Sequence, residues 1–417
     1  MRVARCWRRG GAALPALLFA LVAAPIAPAQ TSAAPPGSEL RVYLMTMGPG
    51  AMVWERFGHN AIWVHDPSTQ PDTAYNYGLF DFRQENFLLR FARGDMWYWM
   101  AGFPAEWYVQ SYRRDNRSVW LQELNVPPAA RLELREFLRR NAQPENRFYH
   151  YDYYYDNCST RVRDAIDRVI GGAIRKETVG LPTGKTFRFH TQRLTSNDPL
   201  IFTALLTALG QRVDRPITAW QEMFLPMALR EYVRGVNVTY PDGTLRPLVQ
   251  SERTVFESTA REPPAAPPPW LRWYLLLGLV VGGITVLLGG AARHRGLGRF
   301  ALGTVATLWG LIGGLGGVVL AGLWGLTDHV MAYRNENLFQ VNPLILGLAI
   351  LVPAGLAASS RARHWARVLS RGLVALSMAG LALKLIPAFD QVNGEVIALA
   401  LPIHLGVAIG LQRARRN

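Results

Sequence analysis

The segment YDYYYDNCSTRVRDAID, residues 151–167, places a cysteine between a tyrosine-rich stretch and a helical pattern. Apolar side chains recur at helical spacing after this cysteine and a Gly-Gly pair follows them, so the pattern predicts a helix over 158–170. Asn157 is the predicted N-cap. Cys158 therefore lies in the first helical turn, where the helix dipole and unpaired backbone N–H groups favour a thiolate. Arg161 or Arg163 adds to this effect.

The first 29 residues determine how many cysteines the mature protein is expected to contain. Residues 1–29 have a basic start, an apolar core and an Ala-Pro-Ala end, which is typical of a cleaved signal peptide; an uncleaved anchor is the alternative. The sequence contains two cysteines, and cleavage removes Cys6. Cys158 then has no partner for an internal disulfide in a compartment that favours disulfides. An inert, packed cysteine is the other interpretation, but Cys158 lies at an element boundary, off the apolar stripe of the helix, which favours a nucleophile.

A cysteine nucleophile needs a base, which is usually a histidine that the fold brings close. Residues 30–270 contain four histidines: His59, His65, His150 and His190. His59 is the best placed, because it follows Gly58 at the head of the apolar strand NAIWVH. His65 lies at the polar end of this strand, His150 borders the tyrosines, and His190 is predicted to lie in a basic loop without a visible partner. By strand order, the amide of Asn76 on the next strand is predicted to orient the imidazole.

The pattern of the remaining residues predicts an α+β exported domain at 39–260 followed by an all-α membrane domain at 270–411. Strand-like runs cover 40–47, 60–65 and 73–80, and a helical pattern begins at Pro128. The proline-rich stretch 261–269 reads as a stiff linker. Five apolar spans are predicted after it, at 273–292, 300–326, 343–358, 368–386 and 396–411.

The charges of the loops between these spans predict their orientation. Arginines are concentrated at 293–299, at 359–367 and in the C-terminal tail, whereas loops 327–342 and 387–395 are nearly neutral. Arginine-rich loops stay on the cytoplasmic side, so residues 30–270 are predicted to lie outside and the C-terminus inside. The net charge of +15 thus reflects topology, and nucleic acid is not an expected partner.

Two further segments allow two interpretations each. Loop 327–342 carries four polar side chains that either bind a lipid head group or belong to a solvated loop: Asp328, His329, Asn335 and Asn337. The aromatic segment 96–108 is either a surface that dips toward lipid or an ordinary core.

The motifs FGHNAIWV (57–64) and NCSTRVRD (157–164) resemble the circularly permuted branch of the papain-like NlpC superfamily, in which histidine precedes cysteine. More closely, the chain resembles the Lnb family of bacterial lipoprotein N-acyltransferases, which joins an Lnb-type periplasmic domain to a multi-span membrane domain. Four further motifs carry this likeness: YNYGLFDF (75–82), RFARGDMWYWM (90–100), LGQRVDRPITAWQEMFLP (209–226) and DHVMAYRNENLFQVNPL (328–344).

The resemblance implies a papain-like, permuted NlpC-type domain with a helical extension, in a multi-pass protein of the bacterial inner membrane. It implies that Cys158 is the acyl-accepting nucleophile and His59 its base, and Asn76 is added from strand order. Asn157 and Arg161, beside the cysteine, are candidate substrate contacts. A phospholipid would be the acyl donor and a lipoprotein amino group the acceptor, with no cofactor or metal.

Two other functions remain open from the residues. A periplasmic cysteine peptidase or amidase acting on cell-wall peptide would use the same Cys-His pair. A non-enzymatic membrane protein that binds a ligand is the third reading.

Overall fold

The structure is a computed structural model that describes residues 34–81, 83 and 85–414. From Pro36 onward, the described residues belong to one compact unit. The predicted signal peptide, residues 1–29, lies outside the described residues.

The strands of the described chain are β1 (Arg41–Met47), β2 (His59–His65), β3 (Thr73–Leu79), β4 (Trp97–Pro104), β5 (Val119–Leu124), β6 (Phe148–His150), β7 (Pro182–Thr186), β8 (Pro216–Thr218), β9 (Asn237–Thr239), β10 (Leu245–Pro247) and β11 (Val249–Phe256). The helices of the exported domain are α1 (Phe87–Arg93), α2 (Ala105–Arg114), α3 (Pro128–Asn141), α4 (Cys158–Val169), α5 (Ala173–Thr178), α6 (Phe187–Thr195), α7 (Pro199–Ala208), α8 (Ala219–Glu222) and α9 (Pro226–Tyr232).

Seven of these strands form one antiparallel sheet in the order β11-β5-β1-β2-β3-β4-β6. Strand β2 lies near its centre, paired with β1 on one side and with β3 on the other. The last strand, β11, returns to the sheet beside β5 just before the proline-rich stretch. The fold is thus α+β, as predicted, with a larger sheet than the three strand-like runs indicated.

Both faces of the sheet are covered, because apolar side chains alternate along the strands. One face carries Ile62 and Tyr77 in a cluster with residues of α3 and α4. The other carries Ala61 and Ala74 in a cluster with residues of α2. Segment 96–108 contributes Met100 and Tyr108 to these buried clusters, whereas Trp107 in the same segment is exposed.

The membrane domain consists of α10 (Leu271–His294), α11 (Gly296–Gly325), α12 (Leu346–Ala357), α13 (Ser360–Ala382) and α14 (Gly394–Arg413). Within residues 34–414, as far as the structure describes them, five helical segments are long and apolar enough to cross a membrane, and the third of them begins at Glu336, ahead of α12. Short 3₁₀ turns at Val330–Ala332, Glu336–Phe339 and Pro343–Ile345 fill the connection between α11 and α12. The five predicted spans coincide with these segments.

The first and last membrane helices pack backbone against backbone. A Cβ built on Gly282 of α10 would lie 2.4 Å from the carbonyl oxygen of Pro402, and one on Gly406 of α14 would lie 2.4 Å from that of Gly282. Side chains larger than glycine do not fit at these positions. Glycine at these positions therefore lets the backbones of α10 and α14 come into direct contact. Close packing of this kind holds apolar helices together in a bilayer.

Candidate active site

Cys158 is the first residue of α4, and Asn157 is its N-cap, as predicted. The Asn157 Oδ1 accepts hydrogen bonds from the backbone N–H groups of Ser159 and Thr160, and the Asn157 N–H donates to the Thr160 hydroxyl. This capping box fixes where the helix starts and therefore where the cysteine stands. The half-buried thiol is a free cysteine.

The same contacts correct the expectation that Asn157 binds substrate. Its side-chain amide donates to the carbonyl oxygens of Tyr153 and Phe224, and its oxygen already accepts two hydrogen bonds. The residue is 4% exposed. Asn157 thus holds the helix start against two neighbouring segments, and its role is structural.

His59 and Asn76 are brought together by adjacent strands. Asn76 lies opposite Ala61, two residues along β2 from His59, and the His59 Nε2 is hydrogen-bonded to the Asn76 Oδ1. The Asn76 amide nitrogen donates to the Tyr108 hydroxyl on α2. Since the amide oxygen can only accept, the His59 Nε2 carries the proton and its Nδ1 is an acceptor. The catalytic roles of these residues remain predictions.

Gly78 marks the space in which these groups meet. A Cβ built on it would lie 3.2 Å from the Cβ of Cys158 and 3.8 Å from the Cε1 of His59, so these two atoms are at most about 7 Å apart. Gly78 has φ +90° and lies where the register between β3 and β4 shifts. A glycine suits this position twice, because it tolerates the backbone conformation and leaves the space between cysteine and histidine open.

The Tyr149 hydroxyl faces the same space, and the sequence did not identify it. Its oxygen lies 3.9 Å from the Cβ position of Gly78. The hydroxyl is buried and has no hydrogen-bond partner within the described part of the chain. Burial raises the pKa of Tyr149 well above its usual value, so the group stays protonated and is a donor. A buried donor without an acceptor next to a nucleophile is suited to receive a developing negative charge.

Burial sets the charge states of the pair. It raises the pKa of Cys158 to about 11, although backbone N–H groups of Asn60, Ser159 and Cys158 itself act in the opposite direction. Burial likewise lowers the pKa of His59 to about 4, against the hydrogen bond to Asn76 and with a smaller contribution from Arg117. At neutral pH the resting pair is a thiol and a neutral imidazole. The expectation of a lowered thiol pKa is wrong, because desolvation outweighs the first-turn donors.

Arg161 lies beside the site, but its guanidinium is engaged. It donates to both carboxylate oxygens of Asp156, at 2.5 and 2.6 Å, and lies 4.2 Å from the centre of the Tyr149 ring. A cation over this ring withdraws electron density from it and makes the hydroxyl a better donor. Arg161 therefore acts on the site through Tyr149 rather than as a free substrate contact.

Asp328 and His329 attach the membrane domain to the exported domain near the tyrosines. The Asp328 N–H donates to the carbonyl oxygen of Arg93, and the His329 Nε2 is hydrogen-bonded to that of Phe91. The His329 ring also stacks on Tyr153 with 6.1 Å between centroids. These two residues thus place the C-terminal end of α11 against the segment that precedes Cys158.

Asn335 and Asn337 are neither free head-group ligands nor parts of a solvated loop. The amide of Asn335 donates to the carbonyl oxygens of Thr207 and Ala208, and that of Asn337 donates to those of Leu206 and Thr207. The two side chains are 2% and 0% exposed. They satisfy the last carbonyls of α7, which a helix end otherwise leaves unpaired. The prediction that they bind substrate is corrected: they join the two domains.

The other three histidines of the exported domain lie in different surroundings. His65 pairs with Asp72 at 2.9 Å near the surface, and His150 faces Asp95 at 3.5 Å. His190 is buried in α6, 2.9 Å from Glu222, so the view that it lacks a partner was wrong. Of the four, His59 is the one whose ring borders the space beside Cys158. Within the described residues, no group of three or more histidine, cysteine or carboxylate side chains is arranged to hold a metal ion.

Residues 29–193 match the Lnb N-terminal periplasmic domain. The matched stretch contains His59, Asn76, Tyr149 and Cys158. No significant match is found among curated proteins or among solved structures. Residues 29–193 are thus similar to an Lnb N-terminal periplasmic domain, and in the described part of the chain five helices long and apolar enough to cross a membrane follow it.

Proposed function

We propose that the protein is an N-acyltransferase that moves a fatty acyl chain from a membrane phospholipid, through a Cys158 thioester, to an amino group. The acceptor we favour is the N-terminal cysteine of lipoproteins. One observation carries the proposal: the Cys158–His59 site is fixed to the outer end of apolar, membrane-length helices through His329 and Asn335.

The arrangement supports the first half of the reaction. As the sulfur attacks the ester carbonyl, the thiol proton passes to the His59 Nδ1, whose opposite nitrogen is held by Asn76. The Tyr149 hydroxyl and the Asn60 N–H are donors for the oxyanion. The imidazolium then gives its proton to the departing alcohol oxygen of the lysophospholipid, and a thioester remains on Cys158.

The second half returns the enzyme to its resting state. The uncharged amine attacks the thioester carbonyl and passes a proton to His59. Collapse of this intermediate breaks the carbon–sulfur bond, forms the amide and reprotonates the thiol. The neutral resting pair suits this cycle, because the imidazole is free to accept a proton at the start of each half.

The attachment to the membrane domain distinguishes a lipid substrate from cell-wall peptide. A soluble domain with the same Cys-His pair suffices for a peptidase or amidase. Here the segment before the nucleophile touches His329, four residues beyond the end of α11. An ester in the outer leaflet is therefore the nearest substrate, provided that residues 30–270 lie in the periplasm and the C-terminus in the cytoplasm of the inner membrane.

Intact-mass analysis of the full-length protein in phospholipid vesicles tests the proposal. The wild type should acquire a fatty-acyl mass that hydroxylamine removes, and Cys158→Ala should acquire none. Lipoprotein N-termini from cells with and without the protein identify the acceptor by mass spectrometry. Peptide adducts, or an active protein that never carries an acyl group, would overturn the acyltransferase reading in favour of the amidase or the binding protein.

A further inference from the structure

Aromatic rings follow one another past the tyrosine segment that precedes Cys158. The ring centroids of Tyr98 and Tyr151 are 4.2 Å apart, those of Phe80 and Tyr98 are 5.2 Å apart, and those of Trp54 and Phe80 are 6.5 Å apart. Each of these distances is within the range of direct ring contact. The rings therefore form a continuous series on this side of the exported domain, in which Tyr98 is buried and links the more exposed rings on either side of it.

The same series continues toward the membrane domain. Tyr151 contacts Tyr153 with 6.1 Å between centroids, and Tyr153 stacks on His329 at 6.1 Å with 13° between the planes. His329 follows Gly325, the last residue of a membrane-length helix, by four positions. We call the side chains of this series the aromatic row: Trp54, Phe80, Tyr98, Tyr151, Tyr153 and His329. The His329 end of the row thus lies where a span leaves the bilayer.

The row passes the nucleophile on its way. Tyr151 and Cys158 pack against the same hydrophobic cluster. Asn157, the residue before Cys158, donates its side-chain amide to the carbonyl oxygen of Tyr153, so the tyrosine segment lies directly against the start of α4. The row therefore connects the membrane end of the exported domain with the reacting atom.

Much of this apolar surface is open. Trp54 is 50% exposed and Tyr153 is 36% exposed, while Phe80 and Tyr151 are half-buried. A contiguous, partly exposed apolar strip on a solvated domain marks a surface that another apolar group covers. Because the row starts at the end of a span, the lipid of the outer leaflet is the nearest source of such a group.

We propose that the aromatic row binds the fatty acyl chain of a membrane lipid and leads its ester from the leaflet to Cys158. This inference rests on the proposed function and adds the residues that hold the chain. It differs from a general contact between protein and bilayer, because it commits to one acyl chain lying along the row.

The first experiment compares acyl-chain lengths in the full-length protein. Tyr153→Ala and Phe80→Ala each remove one ring of the row, and Tyr155→Ala is the matched control. Tyr155 belongs to the same tyrosine segment and is 53% exposed, but its ring contacts Phe187 instead. The measured quantity is the rate at which Cys158 becomes acylated by a hexanoyl ester and by a hexadecanoyl phospholipid.

Loss of one buried ring contact should slow acylation by the long chain roughly tenfold and leave the short chain unchanged. The control should acylate with both chains as the wild type does. The inference is overturned if the row variants match Tyr155→Ala at both lengths while the wild type still forms the thioester. That outcome would leave the proposed function intact.

The second experiment requires neither thioester formation on Cys158 nor stable variants of the aromatic row. Full-length Cys158→Ala in vesicles is irradiated with a phospholipid whose acyl chain carries a diazirine, and the labelled peptides are identified. Labels on residues 80 and 151–153, reduced by excess unlabelled phospholipid, support the row even if no thioester ever forms. Labels confined to the membrane helices overturn it.

Discussion

His59 donates its Nε2–H to the Oδ1 of Asn76, so its Nδ1 is the ring nitrogen that remains an acceptor. The Tyr108 hydroxyl determines the orientation of the Asn76 amide, because it accepts the amide N–H and leaves the amide oxygen for the imidazole. Strand pairing, a helix on one face of the sheet and a single amide together determine the tautomer of the base.

Asn76 should therefore matter for catalysis more than for folding. Asn76→Ala leaves His59 without its partner, and we expect the acylation rate to fall about a hundredfold while the thiol remains accessible to alkylation. Tyr108→Phe removes only the outer hydroxyl and should have a smaller effect. Single-turnover acylation measures both variants. Wild-type rates in Asn76→Ala would show that His59 needs no orienting group.

The pH dependence of thiol labelling tests the charge state of the pair. With the pKa of Cys158 raised to about 11, alkylation by iodoacetamide should be half-maximal near pH 11, whereas a free cysteine is half ionised at about pH 8.5. Acylation should fall only as the pH drops through about 4, where His59 becomes protonated and can no longer accept the proton. A labelling plateau at or below pH 8.5 contradicts the neutral pair and restores an ion pair.

Tyr149→Phe should lower the rate of acylation without a comparable change in KM. The hydroxyl faces the reacting space without a partner, and loss of one oxyanion donor typically costs about 10²–10³ in rate. Tyr153→Phe, which also loses one hydroxyl but keeps its ring in the aromatic row, is the control and should acylate at the wild-type rate. Equal rates for Tyr149→Phe and the wild type would remove Tyr149 from the mechanism.

Gly78→Ala should inactivate the protein beyond its cost in stability. The new methyl would lie 3.2 Å from the Cβ of Cys158 and occupy the space between it and His59. Gly172→Ala is the matched control, because Gly172 also has a positive φ, at +80°, but has no atom within 4 Å of its Cβ position. Each should lose about 1 kcal/mol in the free energy of unfolding, and only Gly78→Ala should lose activity. If both remain active, the space at Gly78 is not where substrate reacts.

Asn335→Ala should destabilise the protein and leave KM for the lipid donor unchanged. The change leaves the Ala208 carbonyl at the end of α7 without its donor and removes one of the two donors to the Thr207 carbonyl, which costs about 1–3 kcal/mol for a buried group. Asn146→Ala, at an exposed position where the amide donates to one carbonyl, should change stability by less than about 0.5 kcal/mol. Thermal unfolding in detergent measures both. A raised KM with unchanged stability would return Asn335 to the substrate site.

Local patterns predicted the parts of the site that depend on neighbours along the chain. Helical spacing located α4 and its cap, and the order of two strands placed Asn76 against His59. The space at Gly78 and the Tyr149 hydroxyl depend on contacts across about 70 residues, which no periodicity records. The pKa of Cys158 was misjudged for the same reason, because the helix dipole is local and burial is not.

Loop 327–342 is a second case in which contacts between distant parts of the chain could not be predicted from the sequence. From the sequence, its asparagines are either head-group ligands or parts of a solvated loop, because polar residues between spans often are one or the other. Their partners are the carbonyls that end α7, more than 120 positions earlier in the chain. The sequence indicates where a helix ends and therefore which carbonyls need donors. It does not indicate which side chains supply these donors.

The contact between α10 and α14 has a consequence for how the protein is made. The glycines of the first membrane helix face the last one, so the bundle cannot close until the ribosome has completed the C-terminus. During synthesis, the face of α10 that packs on α14 stays uncovered while the three intervening helices are made. A chain that stops before Gly394 would enter the membrane with that glycine surface of α10 uncovered.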